Sequence, residues 1–261
     1  MRRAEGMLAG KVAVVTGGTS GLGRAGAIRF ADEGARVVVA SRREDEGSKV
    51  VDEIASAGRD AIFLRTDVRT PSDVEALVAR SEEHFGRVDV LYASAGVMLT
   101  GTAPQTDEDV YQTVMDVNVG GTFRLAKYGI PALERAGGGS IVLTASELGL
   151  VGASEAVAYC ASKGAVINMV RALAIDCGPL GIRVNCLCPG PIETPMLRDW
   201  FDAGDDPAAL ERRQTEPVLL KRIGRPAEIA DVALFLASDL SSYMTGAVVV
   251  ADGGATAWYG L

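Results

Sequence analysis

A short β-branched run, Lys11-Val12-Ala13-Val14-Val15-Thr16, breaks into Gly17-Gly18-Thr19-Ser20-Gly21-Leu22-Gly23, and a helix-like stretch follows from Arg24 to Glu33, stopped by Gly34. Strand, glycine-rich turn and helix together leave backbone N–H groups free at a helix N-terminus, where a pyrophosphate can sit. Two glycine registers overlap. Gly21-x-Gly23-x-x-Gly26 fits the general dinucleotide fingerprint literally, but its first glycine comes late, inside the helix start. Thr16-Gly17-x-x-x-Gly21-x-Gly23 puts its first glycine directly after the strand and is the better fit.

The alternation continues along the chain. Strands are expected at Ala35–Ala40, Ala61–Leu64, Val88–Ala93, Ser140–Ala145, Ile182–Leu187 and Ala247–Val250. Helices are expected at Glu44–Ala57, Ser72–Phe85, about Asp107–Lys127, Glu155–Cys177 and Pro226–Leu236. Strands alternating with helices predict an α/β fold, a doubly wound seven-stranded parallel sheet with helices on both faces. No composition break divides residues 1–261, so one domain is expected, with residues 1–8 as a loose lead-in and about 194–222 as a substrate lid. The second strand ends in Ser41-Arg42-Arg43, with no carboxylate where a ribose 2′-hydroxyl would be held. A guanidinium there suits a 2′-phosphate, which favours NADP(H) over NAD(H).

Tyr159 and Lys163 stand four apart in a helical stretch and so share one face. A phenol of pKa about 10 transfers protons poorly at neutral pH, and a nearby ammonium draws that value down.

With 48% apolar and 23% charged residues the composition is that of a globular protein. A net charge of −8 leaves no basic excess for nucleic acid, and no apolar run reaches membrane-spanning length. Met1–Gly6 lacks the apolar core of a signal peptide, so a cytoplasmic protein is expected. Cys160, Cys177, Cys186 and Cys188 fit neither a zinc site nor a redox pair and read as reduced thiols, Cys186 and Cys188 sharing a strand face. A single histidine, His84 in a polar stretch, excludes a multi-histidine metal site and a histidine-based triad.

Over about residues 8–258 the chain resembles the short-chain dehydrogenase/reductase family. The resemblance is carried by Thr16–Gly23, Asp67, Ala95-Gly96, Asn118, Ser146, Tyr159-x-x-x-Lys163, Pro189-Gly190 and Asp252-Gly253-Gly254, in that order, with thirteen residues from Ser146 to Tyr159. It implies a Rossmann domain and a tetrad. Tyr159 would be the general acid/base; Lys163 would depress its pKa and hold the nicotinamide ribose. Ser146 would bond the substrate oxygen, and Asn118 would hold a water linking Lys163 to solvent. The cofactor contacts implied are Gly17, Thr19, Ser20, Gly21, Leu22, Gly23, Ser41, Arg42, Asp67, Val68, Ser94, Ala95, Gly96, Pro189, Gly190, Ile192 and Thr194, beside Tyr159 and Lys163. Asp67 would accept from the adenine amino group, and Thr194 would meet the carboxamide. No metal is implied.

The chain departs from the family pattern in one place. Ser94 stands where the family usually has a strand-tying Asn and replaces only part of its bonding, at a local cost in stability. Glu147, after the catalytic serine, reads equally as a solvated loop carboxylate or a substrate contact, and Trp200 and Phe201 as pocket lining or lid anchors. The leading expectation is a carbonyl reductase or alcohol dehydrogenase on a small molecule. Sugar or polyol dehydrogenases and hydroxysteroid-type enzymes are alternatives. A 3-oxoacyl-[acyl-carrier-protein] reductase is a further one, although Pro131 and Ile175 stand where its basic residues belong. An inactive cofactor-binding regulator is the alternative from another class. The family also implies a homotetramer.

Overall fold

The computed structural model describes residues 6–202 and 204–258. Seven strands, β1 (Val12–Thr16), β2 (Arg36–Ser41), β3 (Ala61–Arg65), β4 (Val90–Ala93), β5 (Gly139–Thr144), β6 (Ile182–Pro189) and β7 (Val248–Ala251), form one sheet in the order β3-β2-β1-β4-β5-β6-β7. Every neighbouring pair is parallel. The helices between them are α1 (Gly21–Asp32), α2 (Glu44–Ser56), α3 (Pro71–Phe85), α4 (Glu108–Met115), α5 (Gly121–Arg135), α6 (Val157–Cys177), α7 (Pro195–Asp202), α8 (Pro207–Thr215) and α9 (Pro226–Ala237).

Burial on both faces explains the continuous apolar strands. All five residues of β1 are buried, and strand alternation sends them in opposite directions. Val12 and Val14 meet Leu77 of α3, Leu125 of α5 and Val166 of α6 in one core. Ala13 and Val15 meet Phe30 of α1, Val50 of α2 and Ile229 of α9 in the other. Each fully buried aliphatic side chain contributes about 1.5–3 kcal/mol, so a one-residue slip of β1 would exchange two filled cores for two mismatched ones. The order in which strands are added across the sheet reverses between β1 and β4. Open parallel sheets bind their ligands at such a switch, beyond the strands' C-terminal ends.

Two segments differ from the sequence expectation. Residues 1–5 lie outside the described part, but residues 6–8 are not a loose lead-in. Leu8 is buried and its N–H donates to the Glu33 carbonyl at 2.9 Å, while the Met7 N–H donates to Glu33 Oε2 at 2.8 Å. The helix expected over Asp107–Lys127 is two helices joined by a π-turn at Asp116–Gly120, which contains Asn118. The wider turn lets Gly121 lie against Val68, where a Cβ would come within 2.7 Å of the Val68 side chain. Residues 194–222, read from the sequence as a lid, contain two short helices tied by Arg198, which pairs with Glu193 and, at 3.0 Å, with Glu211.

The Tyr92 hydroxyl lies near Thr144 and Ser94, yet Tyr92 Oη and Thr144 Oγ1 are buried without hydrogen-bond partners. An unsatisfied buried polar group costs about 1–3 kcal/mol. Ser94→Asn is expected to supply a hydrogen-bond partner and raise the melting temperature by roughly 2–4 °C, measured by calorimetry.

Candidate active site

Four strand ends build the site. Beyond β1, Gly17 takes φ +69°, and a Cβ there would sit 2.8 Å from the Ala95 backbone. The loop after β1 therefore lies directly on the loop after β4. The Ser20 cap of α1 makes no side-chain bond to the first turn, and that turn holds no acid. Its N–H groups are left to face the cleft with the positive end of the helix. Gly21, at φ +50°, faces Thr194, whose methyl would be 3.2 Å from an added Cβ. A cradle that side chains would fill, at an uncapped helix N-terminus, fits a dinucleotide pyrophosphate.

One cleft brings together Gly17, Ser20, Gly21, Leu22, Ser94, Ala95, Gly96, Ser146, Tyr159, Lys163, Pro189, Gly190, Ile192 and Thr194. Other expected contacts lie outside it. Thr19 Oγ1 donates to Ser41 Oγ at 3.0 Å, and Arg43 Nη2 donates to Thr19 Oγ1 at 3.4 Å, a polar cluster at the end of β2 beside exposed Arg42. Asp67 is committed to Arg69, whose Nη2 lies 2.7 Å from Asp67 Oδ2, and this pairing holds its carboxyl below the usual range. Val68 packs against α5 rather than into the cleft. Gly23 serves packing as well: its Cβ would fall 2.3 Å from the Gly17 carbonyl oxygen.

Tyr159 lies in the first turn of α6, with Lys163 one turn on. The Lys163 ammonium is 5.5 Å from the Tyr159 ring centre, and Nζ donates to the Thr144 carbonyl at 3.0 Å. Burial pulls Lys163 down to about 8. Burial likewise pushes Tyr159 up to about 12; the contact that opposes this comes from the Ser146 hydroxyl. The expected depression of the phenol by Lys163 is thus absent in this arrangement, because the ammonium is turned onto a carbonyl and both groups are desolvated. Ser146 Oγ accepts from the Leu148 N–H at 3.2 Å, which leaves its own proton free to donate.

Asn118 sits behind Gly96. Its Oδ1 accepts from the Val97 N–H at 2.8 Å, and its Nδ2 donates to the Val97 carbonyl and to Ser162 Oγ, both at 3.0 Å. Ser162 in turn donates to the Tyr159 carbonyl at 2.7 Å. A Cβ on Gly96 would stand 3.3 Å from Asn118 Oδ1 and 3.6 Å from Lys163 Nζ, so this glycine lets the two polar groups approach.

Sequence reasoning missed Ser162, although its place three residues after Tyr159 puts it on the same helix side. Gly26, the last glycine of the register set aside in the sequence, serves packing: its Cβ would meet the Tyr92 ring at 2.5 Å. The two aromatics of α7 part ways: Trp200 lines the cleft, whereas Phe201 is only 2% exposed and anchors α7. Met98, Leu148, Met196, Leu197 and Gln214 complete the wall. Glu147 lines the cleft too and is buried rather than solvated. Burial, with Asp252 nearby, pushes its carboxyl up to about 7. The four cysteines are free, with Cys186 and Cys188 sulfurs 3.8 Å apart on one face of β6. His84 is exposed on α3. Among the described residues no group of His, Cys, Asp or Glu could hold a metal, and no helix is long and apolar enough to cross a membrane.

A family profile described as enoyl-(acyl carrier protein) reductase matches residues 17–256. A 2,5-dichloro-2,5-cyclohexadiene-1,4-diol dehydrogenase from Sphingobium indicum is 38% identical over 95% of this chain and 96% of its own. A meso-2,3-butanediol dehydrogenase from Serratia marcescens is 39% identical over 95% of each chain. The crystal structure of a short-chain dehydrogenase/reductase from Burkholderia xenovorans superposes with a TM-score of 0.94 at 34% identity, covering 98% of this chain and all of the other. With a fold and cleft of this form, the chain belongs to the short-chain dehydrogenase/reductase family. It is an NAD(P)-dependent oxidoreductase that acts on CH–OH groups.

Proposed function

We propose that residues 1–261 form one cofactor-binding and catalytic domain that interconverts a small-molecule secondary alcohol and its carbonyl with NADP(H), Tyr159 acting as the general acid/base. The observation that carries this is the convergence of Tyr159, Ser146 and Lys163 on the cleft whose floor is the Gly17–Leu22 turn. When bound, the cofactor supplies or accepts the hydride. The chain's own residues manage the oxygen and its proton. A phenol held at about 12 is protonated at neutral pH, the state that donates to a carbonyl oxygen. Ser146 donates its free O–H to the same oxygen and stabilises charge developing there. Lys163, one turn on from Tyr159 and lining the same cleft, would hold the nicotinamide ribose of the bound cofactor. Asn118, fixed by Val97 and Ser162, keeps the start of α6 and the loop after β4 in register.

The preference for NADP(H) rests on Arg42 and Arg43 at the end of β2 and on the absence of a carboxylate there. A charge-assisted bond to a 2′-phosphate contributes about 1.5–3 kcal/mol. Arg42→Ala should therefore raise the KM for NADPH by about 10- to 100-fold and leave that for NADH nearly unchanged, as steady-state kinetics would show. A wild-type preference for NADH would overturn the cofactor assignment. The diol-named relatives favour a substrate with more than one oxygen. The carrier-protein reading has less support, since Ile175 is 77% exposed where a basic contact would be needed. A homotetramer is supported by exposed Phe123 and Ile175 on the long helices α5 and α6, and free cysteines agree with a cytoplasmic location.

A further inference from the structure

Glu147 is the one acid among the residues lining the cleft. It begins a short 3-10 turn, Glu147–Gly149, directly after Ser146 and beyond the end of β5. The side chain is nine-tenths buried, and Oε2 has no hydrogen-bond partner. Among the described residues no cation pairs with it. The ionisable groups that face it are Asp252, from the loop after β7, and Tyr159, from α6, and both couplings are repulsive. Gly190, after β6, closes the third side: a Cβ there would stand 3.0 Å from Oε2. Three segments distant in sequence thus enclose Oε2 and give it nothing to bond, while the residue as a whole still lines the cleft. Buried polar groups are satisfied in nearly all native proteins, and an orphan at a cleft is a place where a ligand completes the bonding.

The surroundings narrow the ligand. Apart from Ser146, Tyr159, Lys163 and Gln214, the wall around Glu147 on the substrate side is apolar, with Met98, Leu148, Met196, Leu197 and Trp200. Such a wall accepts a hydrocarbon body, and its few polar groups decide orientation. Ser146 and Tyr159 already claim the reacting oxygen. A neighbouring carboxyl is therefore free to bind a different one.

We infer that Glu147 is a specificity residue that recognises a second hydroxyl on the substrate, carried close to the carbinol carbon on which Ser146 and Tyr159 act. This rests on the reaction proposed above. The preferred substrates are then vicinal diols and their hydroxyketones rather than monohydric alcohols. A site built to bond a hydroxyl rejects the analogue that lacks it, because the buried partner is left unpaired. The carboxyl near 7 adds a pH signature. As pH rises through that value the carboxylate forms and accepts the second hydroxyl more strongly, so selectivity for the diol rises.

The test compares the wild type with Glu147→Gln and Glu147→Leu, using NADP+ with butane-2,3-diol against butan-2-ol and cyclohexane-1,2-diol against cyclohexanol. The readout is the diol-to-alcohol ratio of kcat/KM between pH 6 and 8.5, in which limbs due to Tyr159 and Lys163 cancel. The wild type is expected to favour the diol of at least one pair by about 10-fold or more, increasingly so above pH 7. Both variants should lose most of that ratio and its pH dependence. Calorimetric binding of the same four alcohols to the enzyme–NADP+ complex runs alongside. If nothing turns over but a diol binds tighter than its alcohol in the wild type alone, Glu147 recognition stands and the proposed reaction fails. A ratio and pH dependence unchanged in both variants, or a wild type that neither binds nor turns over a diol better than its alcohol, overturns the inference.

Discussion

Replacing Tyr159 by phenylalanine is expected to lower kcat by about 10²- to 10⁴-fold, the range for loss of a positioned acid–base group. The phenol carries the only hydroxyl that α6 presents to the cleft beside Ser146. Its ring packs near the Lys163 ammonium, and phenylalanine keeps that contact. Affinity for NADPH, measured by fluorescence titration, should therefore change little, since the Gly17–Leu22 turn and Lys163 remain in place. The variant should also lose the alkaline pH limb that belongs to the phenol. Retained turnover would move the proton to another group, and Glu147 would be the first to examine.

The second large effect is structural. Gly17→Ala is expected to lower the melting temperature by on the order of 10 °C and to abolish measurable cofactor binding. The position takes φ +69°, and the added Cβ would lie 2.8 Å from Ala95 N and Cα and 2.9 Å from the Ser94 carbonyl carbon. All of these are backbone atoms, so no rotamer change relieves the overlap. Left-handed strain costs about 1–2 kcal/mol and overpacking about 1–3 kcal/mol. A chain of this length loses roughly 2–4 °C per kcal/mol. Differential scanning calorimetry with and without NADP+ checks both parts. Ligand stabilisation should be present in the wild type and absent in the variant.

What the sequence by itself determined was whatever repeats locally. A strand buried on both faces must be apolar through its middle, as Val12–Val15 of β1 and Val37–Ala40 of β2 are, and a helix follows each of the two. The doubly wound architecture was legible for that reason, as was the placing of Gly17, Ser146 and Pro189 at strand ends. Tyr159 and Lys163 were readable as a pair because four residues make one helical turn. Most helix and strand ends shifted by a residue or two, but α1 begins three residues before Arg24 and α5 runs eight residues past Lys127. One larger miss, the π-turn at Asp116–Gly120, follows from Gly121 pressing on Val68, fifty-three positions earlier.

Only the tertiary structure decided the electrostatics. Whether Lys163 faces the phenol or the Thr144 carbonyl depends on how α6 lies across β5. Spacing within α6 carries no record of that. The state of Glu147 depends on Gly190 and Asp252, which reach it from the ends of β6 and β7. A sequence read alone left it evenly divided between solvated loop and substrate contact. Trp200 and Phe201 are adjacent and chemically alike, yet one lines the cleft and the other is buried beneath it. Desolvation and partner choice are set by segments that meet only after the sheet is wound, whereas periodicity and turn chemistry act within a few residues.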